Sequence, residues 1–76
     1  MPLDKSAPTT LTSIRLNGEL LEIEARTLAE LIADQGHAES AVATAVNGDF
    51  VPRKERAATL LAEGDRVEIV APRQGG

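Results

Sequence analysis

A chain of 76 residues with eight basic and twelve acidic side chains carries a net charge of −4 and has room for one small domain. It holds no Cys, Trp or Tyr, and single copies of His and Phe. That composition excludes disulfides, thiolate metal sites and histidine clusters, removes the aromatic platform on which single-stranded nucleic acid stacks, and opposes binding to a phosphate backbone.

An acidic surface suits partners with basic faces. No apolar run approaches the ~20 residues of a membrane span. The N-terminus lacks a charged segment followed by an apolar one, so no secretory signal is visible. The expectation is a cytoplasmic protein, monomeric when free, with no nucleic-acid or membrane partner and no bound metal.

Residues 1–10 hold Pro2, Ser6, Pro8, Thr9 and Thr10 and offer little to bury, which predicts a disordered N-terminal extension. Residues 11–16 then alternate, with Thr12, Ile14 and Leu16 on one side and Ser13 and Arg15 on the other, as a half-buried strand does. Asn17-Gly18 is the strongest short hairpin signal, because a type I′ turn needs positive φ at both central residues. Residues 19–24 return with Leu21 and Ile23 inward and Glu22 and Glu24 outward.

Thr27-Leu28-Ala29-Glu30 matches a capping box, in which Thr27 and Glu30 satisfy each other's free amides. Leu28, Leu31 and Ile32 follow at helical spacing, and Gly36 stands where a helix-ending glycine belongs. A helix over residues 28–35 is expected, laid across one face of a sheet. His37 falls in the loop beyond it, with no neighbouring ligand or base to make a site, and reads as a solvated loop residue.

The apolar run 41–46 fits helix or strand on periodicity alone. The Asn47-Gly48 turn directly after it favours a strand. Pro52 cannot donate to a ladder, so Phe50-Val51 is predicted as a short edge strand. Residues 53–62 read as a turn or single helical turn anchored by Leu60 and Leu61, with Arg53, Lys54, Glu55 and Arg56 solvated. Glu63-Gly64-Asp65 is a tight turn. Val67, Ile69 and Ala71 alternate with Glu68 and Val70 in a last strand that Pro72 ends.

The predicted order is β-β-α-β-β-β. With the first and last strands adjacent in the middle of the sheet and the helix across one face, this is an α+β, β-grasp arrangement, the most economical way to bury one helix on one small mixed sheet. Ile14, Leu16, Leu31, Ile32 and Ile69 are the expected core.

Residues 72–76, Pro-Arg-Gln-Gly-Gly, read as a flexible tail emerging from that central strand. Fully extended, five residues reach roughly 17 Å at ~3.3–3.6 Å each, enough to enter a partner's active site while the domain docks outside. Gly75 and Gly76 carry no side chains and can thread a narrow channel. The functional reading makes the Gly76 carboxylate the reactive group. A carboxylate is a poor electrophile, so it needs a partner that activates it with ATP. Gln74 and Arg73 would thread behind the glycines, and Arg73 could meet an acidic groove. Val70, on the outward side of the last strand, could join an apolar docking patch with Phe50.

Four stretches together resemble the ThiS sulfur carrier proteins of thiamine biosynthesis: Asn17-Gly18; the block from Val46 to Arg53, VNGDFVPR; the block from Glu63 to Val70, EGDRVEIV; and Gly75-Gly76. The likeness runs from Thr12 to Gly76. The extension over residues 1–10 departs from it, since such carriers usually begin at the first strand.

The resemblance implies a ubiquitin-like β-grasp fold and a carrier that is not itself an enzyme and binds no cofactor. It further implies an E1-like adenylyltransferase that uses Mg-ATP to turn the Gly76 carboxylate into an acyl-adenylate. Sulfur drawn from a cysteine desulfurase would replace AMP and leave a thiocarboxylate. A thiazole synthase would then take that sulfur into the thiazole ring. Sulfur carriers for molybdopterin, tRNA or cysteine synthesis are rivals with the same tail. A ubiquitin-like protein modifier is another, with Lys5 and Lys54 as the only lysines of this chain.

Overall fold

The computed structural model describes residues 11–71. The extension over 1–10 and the tail over 72–76 lie outside the described residues. Five strands and one α-helix follow in the order β1 (Thr12–Leu16), β2 (Glu19–Ile23), α1 (Leu28–Asp34), β3 (Ala43–Val46), β4 (Asp49–Val51) and β5 (Arg66–Val70). Two 3₁₀ helices, Glu39–Ala41 and Arg53–Ala58, complete the connections.

The strands form one sheet in the order β2-β1-β5-β3-β4. Only the β1–β5 pair is parallel, with Arg15 opposite Arg66 and Leu16 opposite Val67. The other three pairs are antiparallel. The first and last strands are thus neighbours in the sheet interior and Phe50-Val51 lies at an edge, as the sequence predicts. This is the β-grasp topology.

Both Asn-Gly pairs form the turns their composition demands. Asn17 and Gly18 have φ of 52° and 88°, and Asn47 and Gly48 have 53° and 87°. Positive φ at both central positions gives the type I′ twist that matches the flanking strands.

Helix α1 begins where Thr27 Oγ1 accepts from the Glu30 amide at 3.1 Å. The Glu30 carboxylate accepts from the amide of Arg26 at 2.7 Å, so the return bond reaches one residue further back than the predicted box. The helix ends in a Schellman motif: the His37 amide donates to the Ile32 carbonyl and the Gly36 amide to the Ala33 carbonyl, with Gly36 at φ 82°. His37 therefore closes the helix through its backbone, while its side chain is exposed.

The core lies between α1 and one face of the sheet. Ile14, Leu28, Leu31, Ile32 and Val67 are its fully buried side chains, joined by Ile23, Val42, Val51, Leu61 and Ile69. Leu16 packs against this cluster half-buried instead of sitting inside it, because β1 ends there at the turn.

Three expectations change around residues 39–62. The strand predicted over 41–46 starts only at Ala43, because Glu39–Ala41 turns as a 3₁₀ helix. Leu61 is an anchor, but Leu60 is 73% exposed: Thr27 and Leu60 pair in an isolated antiparallel bridge, which turns adjacent side chains to opposite sides. Arg56 is not solvated. It is 3% exposed, and its Nε donates to Thr44 Oγ1 at 3.1 Å, Nη1 to the Glu39 carbonyl at 2.7 Å and Nη2 to the Val42 carbonyl at 2.7 Å. Thr44 Oγ1 passes the network on by donating to the Val51 carbonyl at 2.9 Å. One guanidinium thus ties both 3₁₀ helices to β3. Arg53 and Lys54 are exposed as expected, and Arg53 makes only a surface ion pair with Glu39 at 3.5 Å.

Candidate functional site

Strand β5 delivers the chain to the tail, and the turns on either side of it fix its position. On one side the Asn17 amide donates to the Val67 carbonyl at 2.9 Å. The Asn17 side chain then continues the ladder: Nδ2 donates to the Ile69 carbonyl at 3.1 Å and Oδ1 accepts from the Ile69 amide at 3.0 Å. A primary amide offers the same donor and acceptor as a peptide unit. Asn17 so extends the β1–β5 pairing past the point where β1 turns away. On the other side the Asn47 amide donates to the Arg66 carbonyl at 2.7 Å, and Asn47 Oδ1 accepts from the Arg66 amide at 2.9 Å. Asn47 Nδ2 donates to Asp65 Oδ1 at 3.0 Å, and Asp65 Oδ2 accepts from the Ala62 amide at 2.8 Å, which shapes the entry to β5.

The sequence marks both asparagines as turn residues. Their grip on β5 is invisible there, since it depends on which strand lies beside each turn.

Among the described residues no element covers the face of the sheet away from α1. Ala43 stands opposite Val70, and Ala45 stands opposite both Glu68 and Phe50. Val70 is 57% exposed and Phe50 is 69% exposed. Two small alanine side chains lie between them on β3, so the two residues proposed for docking do share one apolar surface. An exposed aromatic beside small apolar residues is characteristic of protein contact surfaces. Leu20 extends the same face on β2, where it stands opposite Arg15 and is exposed. Arg15, Arg66, Glu22 and Glu68 supply its charge. The proposed reactive and threading residues Gly76, Gly75, Gln74 and Arg73 lie outside the described residues.

Among the described residues no cluster of three or more His, Cys, Asp or Glu side chains could hold a metal. No helix among them is long and apolar enough to cross a membrane.

A parallel β1–β5 centre, a single helix on one face and an open opposite face define a ubiquitin-like β-grasp domain. The ThiS family model matches residues 14–76, which covers most of the chain and includes both terminal glycines. The chain belongs to the ThiS family. A crystal structure of a thiamine biosynthesis protein (ThiS) from Geobacter metallireducens is 26% identical and superposes with a TM-score of 0.70, over 86% of this chain and 100% of that one. The solution structure of a thiamine biosynthesis protein from Geobacter metallireducens is 25% identical with a TM-score of 0.71, over 86% of this chain and 88% of that one. No curated protein sequence matches significantly.

Proposed function

We propose that this protein is a sulfur carrier whose Gly76 carboxylate is activated and thiolated, and that the sulfur goes to thiazole formation in thiamine biosynthesis. The observation that carries the reading is the extent of the family match, which runs from the first strand through Gly76. The neighbours described as thiamine biosynthesis proteins support the pathway.

The chemistry follows from what the chain can offer. With no Cys it has no side-chain thiol on which to carry sulfur. An α-carboxylate is ionised at neutral pH and can attack the α-phosphorus of ATP, expelling pyrophosphate. The resulting acyl-adenylate is a good electrophile. A persulfide fed by a cysteine desulfurase then displaces AMP to give an acyl disulfide, and a thiol cleaves its S–S bond, leaving as a disulfide with the donor sulfur and freeing the thiocarboxylate. The Mg-ATP belongs to an E1-like adenylyltransferase, and a thiazole synthase consumes the sulfur, so this chain is a substrate of both and an enzyme in neither step. The reading places it in the cytoplasm with those partners. The open sheet face carrying Val70 and Phe50 docks while residues 72–76 enter the active site.

ATP–pyrophosphate exchange with the adenylyltransferase of the same organism tests the first step. Exchange that depends on this protein and stops when Gly76 is removed supports the reading. Exchange that persists without Gly76 overturns it.

A further inference from the structure

The two Asn-Gly turns grip β5 at opposite ends. Asn47 holds the entry: its Oδ1 accepts from the Arg66 amide at 2.9 Å and its Nδ2 donates to Asp65 Oδ1 at 3.0 Å. Asn17 holds the exit: its Nδ2 donates to the Ile69 carbonyl at 3.1 Å and its Oδ1 accepts from the Ile69 amide at 3.0 Å. Both backbones are left-handed, with φ of 52° at Asn17 and 53° at Asn47. The two residues thus match in conformation and in their use of the side chain. They differ in where on β5 the grip falls.

Strand β1 stops at Leu16, opposite Val67, and the chain turns away into β2. Strand β5 runs on to Val70. Among the described residues no strand lies beside it on the β1 side past Val67. Asn17 supplies the pairing there, through its own amide to the Val67 carbonyl and its side chain to both polar groups of Ile69. On the other side β3 pairs with Ile69 and Val70 through Thr44 and Ala43. Without the Asn17 side chain, the end of β5 is held from the β3 side alone. Strand ends with so few contacts open locally at little cost.

That end is the root of the tail. Ala71 follows Val70, and Pro72 comes next. The residue before a proline is confined to extended angles, and the proline's own φ is fixed. A direction set at Ile69 is therefore carried on through Ala71 instead of being lost at a free joint. A backbone residue released at this point has to be ordered again whenever the tail is presented, which lowers the productive fraction by roughly tenfold.

We propose that Asn17 is a positioning residue for activation of the tail: it stands in for the missing end of β1, fixes the direction in which the chain leaves the sheet, and so raises the fraction of docked carrier whose terminus reaches the activating site. The proposal rests on the functional reading above and goes beyond it by naming a residue on the first hairpin on which the reaction at Gly76 depends.

The test is ATP–pyrophosphate exchange with the adenylyltransferase of the same organism, using the full chain and the variants Asn17→Gly, Asn17→Asp and Asn47→Gly. Chemical denaturation checks that all of them are folded under the assay conditions. Glycine keeps the left-handed turn at either site and removes the side-chain bonds at either site, so Asn47→Gly reports what a loss of stability does by itself. Asn17→Gly is expected to lower kcat roughly tenfold with KM for the carrier little changed, the factor for re-ordering about one backbone residue. Asp tolerates the left-handed turn and still accepts from the Ile69 amide, but as a carboxylate it cannot donate to the Ile69 carbonyl. Asn17→Asp should therefore fall between. Asn47→Gly should keep its kcat. Hydrogen exchange gives a readout that needs no enzyme: the Val70 amide should exchange faster in Asn17→Gly than in Asn47→Gly. Equal losses of kcat in the two glycine variants, an unchanged kcat in Asn17→Gly, a change confined to KM, or equal exchange at Val70 would each overturn the proposal. All four leave the functional reading standing where the original chain is adenylated normally. Failure of the original chain to support exchange at all removes that reading and the proposal with it.

Discussion

Asn17 does two jobs that different substitutions can separate. Its φ of 52° lies in the left-handed region, and its side chain bonds both polar groups of Ile69. A residue with a Cβ and no short polar group loses roughly 1–2 kcal/mol in that conformation, and each lost hydrogen bond removes about 0.5–1.5 kcal/mol. Asn17→Ala should therefore destabilise by roughly 2–5 kcal/mol, whereas Asn17→Gly keeps the turn and should lose only the side-chain share. Chemical denaturation of both variants checks this: equal losses would show that the left-handed backbone conformation costs alanine nothing, and an unchanged midpoint in Asn17→Gly would show that the side-chain bonds contribute nothing. Hydrogen exchange adds a local readout: the Ile69 amide should exchange faster in Asn17→Gly, while that of Arg66, held by Asn47, should not. Arg56 is the second residue whose role is local and large. Lys keeps its charge but lacks the planar fork that serves Thr44 Oγ1 and the carbonyls of Glu39 and Val42. Arg56→Lys should lower stability by about 2–4 kcal/mol, since charged hydrogen bonds in a buried site are each worth more than neutral ones. An unchanged midpoint would mean the guanidinium network is dispensable. Nothing in Arg53-Lys54-Glu55-Arg56 distinguishes the buried arginine from the exposed one, because the choice is made by β3 and the 3₁₀ helix at Glu39–Ala41, which reach Arg56 only in the folded chain.

At the scale of elements, the parts written in local chemistry were legible and the parts set by tertiary contact were not. The two Asn-Gly turns, the Thr27 cap, the Gly36 stop and the alternation of Val67 and Ile69 each specify their own geometry. The helix is short, seven residues from Leu28 to Asp34, and too short to persist alone in water. Its stability comes from Leu28, Leu31 and Ile32 against the sheet. Leu31 has no exposed surface, so Leu31→Ala should cost roughly 2–5 kcal/mol. A denaturation midpoint within error of the original would contradict that burial. The run over 41–46 was ambiguous because alanine and valine suit both states. Its first part coils into a 3₁₀ turn whose Glu39 carbonyl receives Arg56, a partner 17 residues away that no window of local sequence contains.

At the scale of the whole molecule, a 76-residue chain buries only roughly 60% of its unfolded surface, so little of it can be spared from the core. The helix and the inner sheet face provide that core. Among the described residues nothing covers the outer face, and β5, one of its strands, precedes residues 72–76 in the chain. The outward side of Val70 could be read from strand alternation, because period two fixes its side of the sheet, whereas Phe50 joins it only through the β3–β4 register. Arg15 and Arg66 could not be paired, since their juxtaposition needs the β1–β5 register, which spans 51 positions and has no local signature. Gly76 is the residue on which the proposed chemistry depends. The direct measurement is intact-mass and peptide mass spectrometry after incubation with the cognate adenylyltransferase, Mg-ATP and a sulfur donor. The chain is expected to gain the mass difference between sulfur and oxygen, with the gain mapping to the peptide containing Gly75-Gly76. A gain mapping to Lys5 or Lys54, or a gain that survives removal of Gly76, would contradict it.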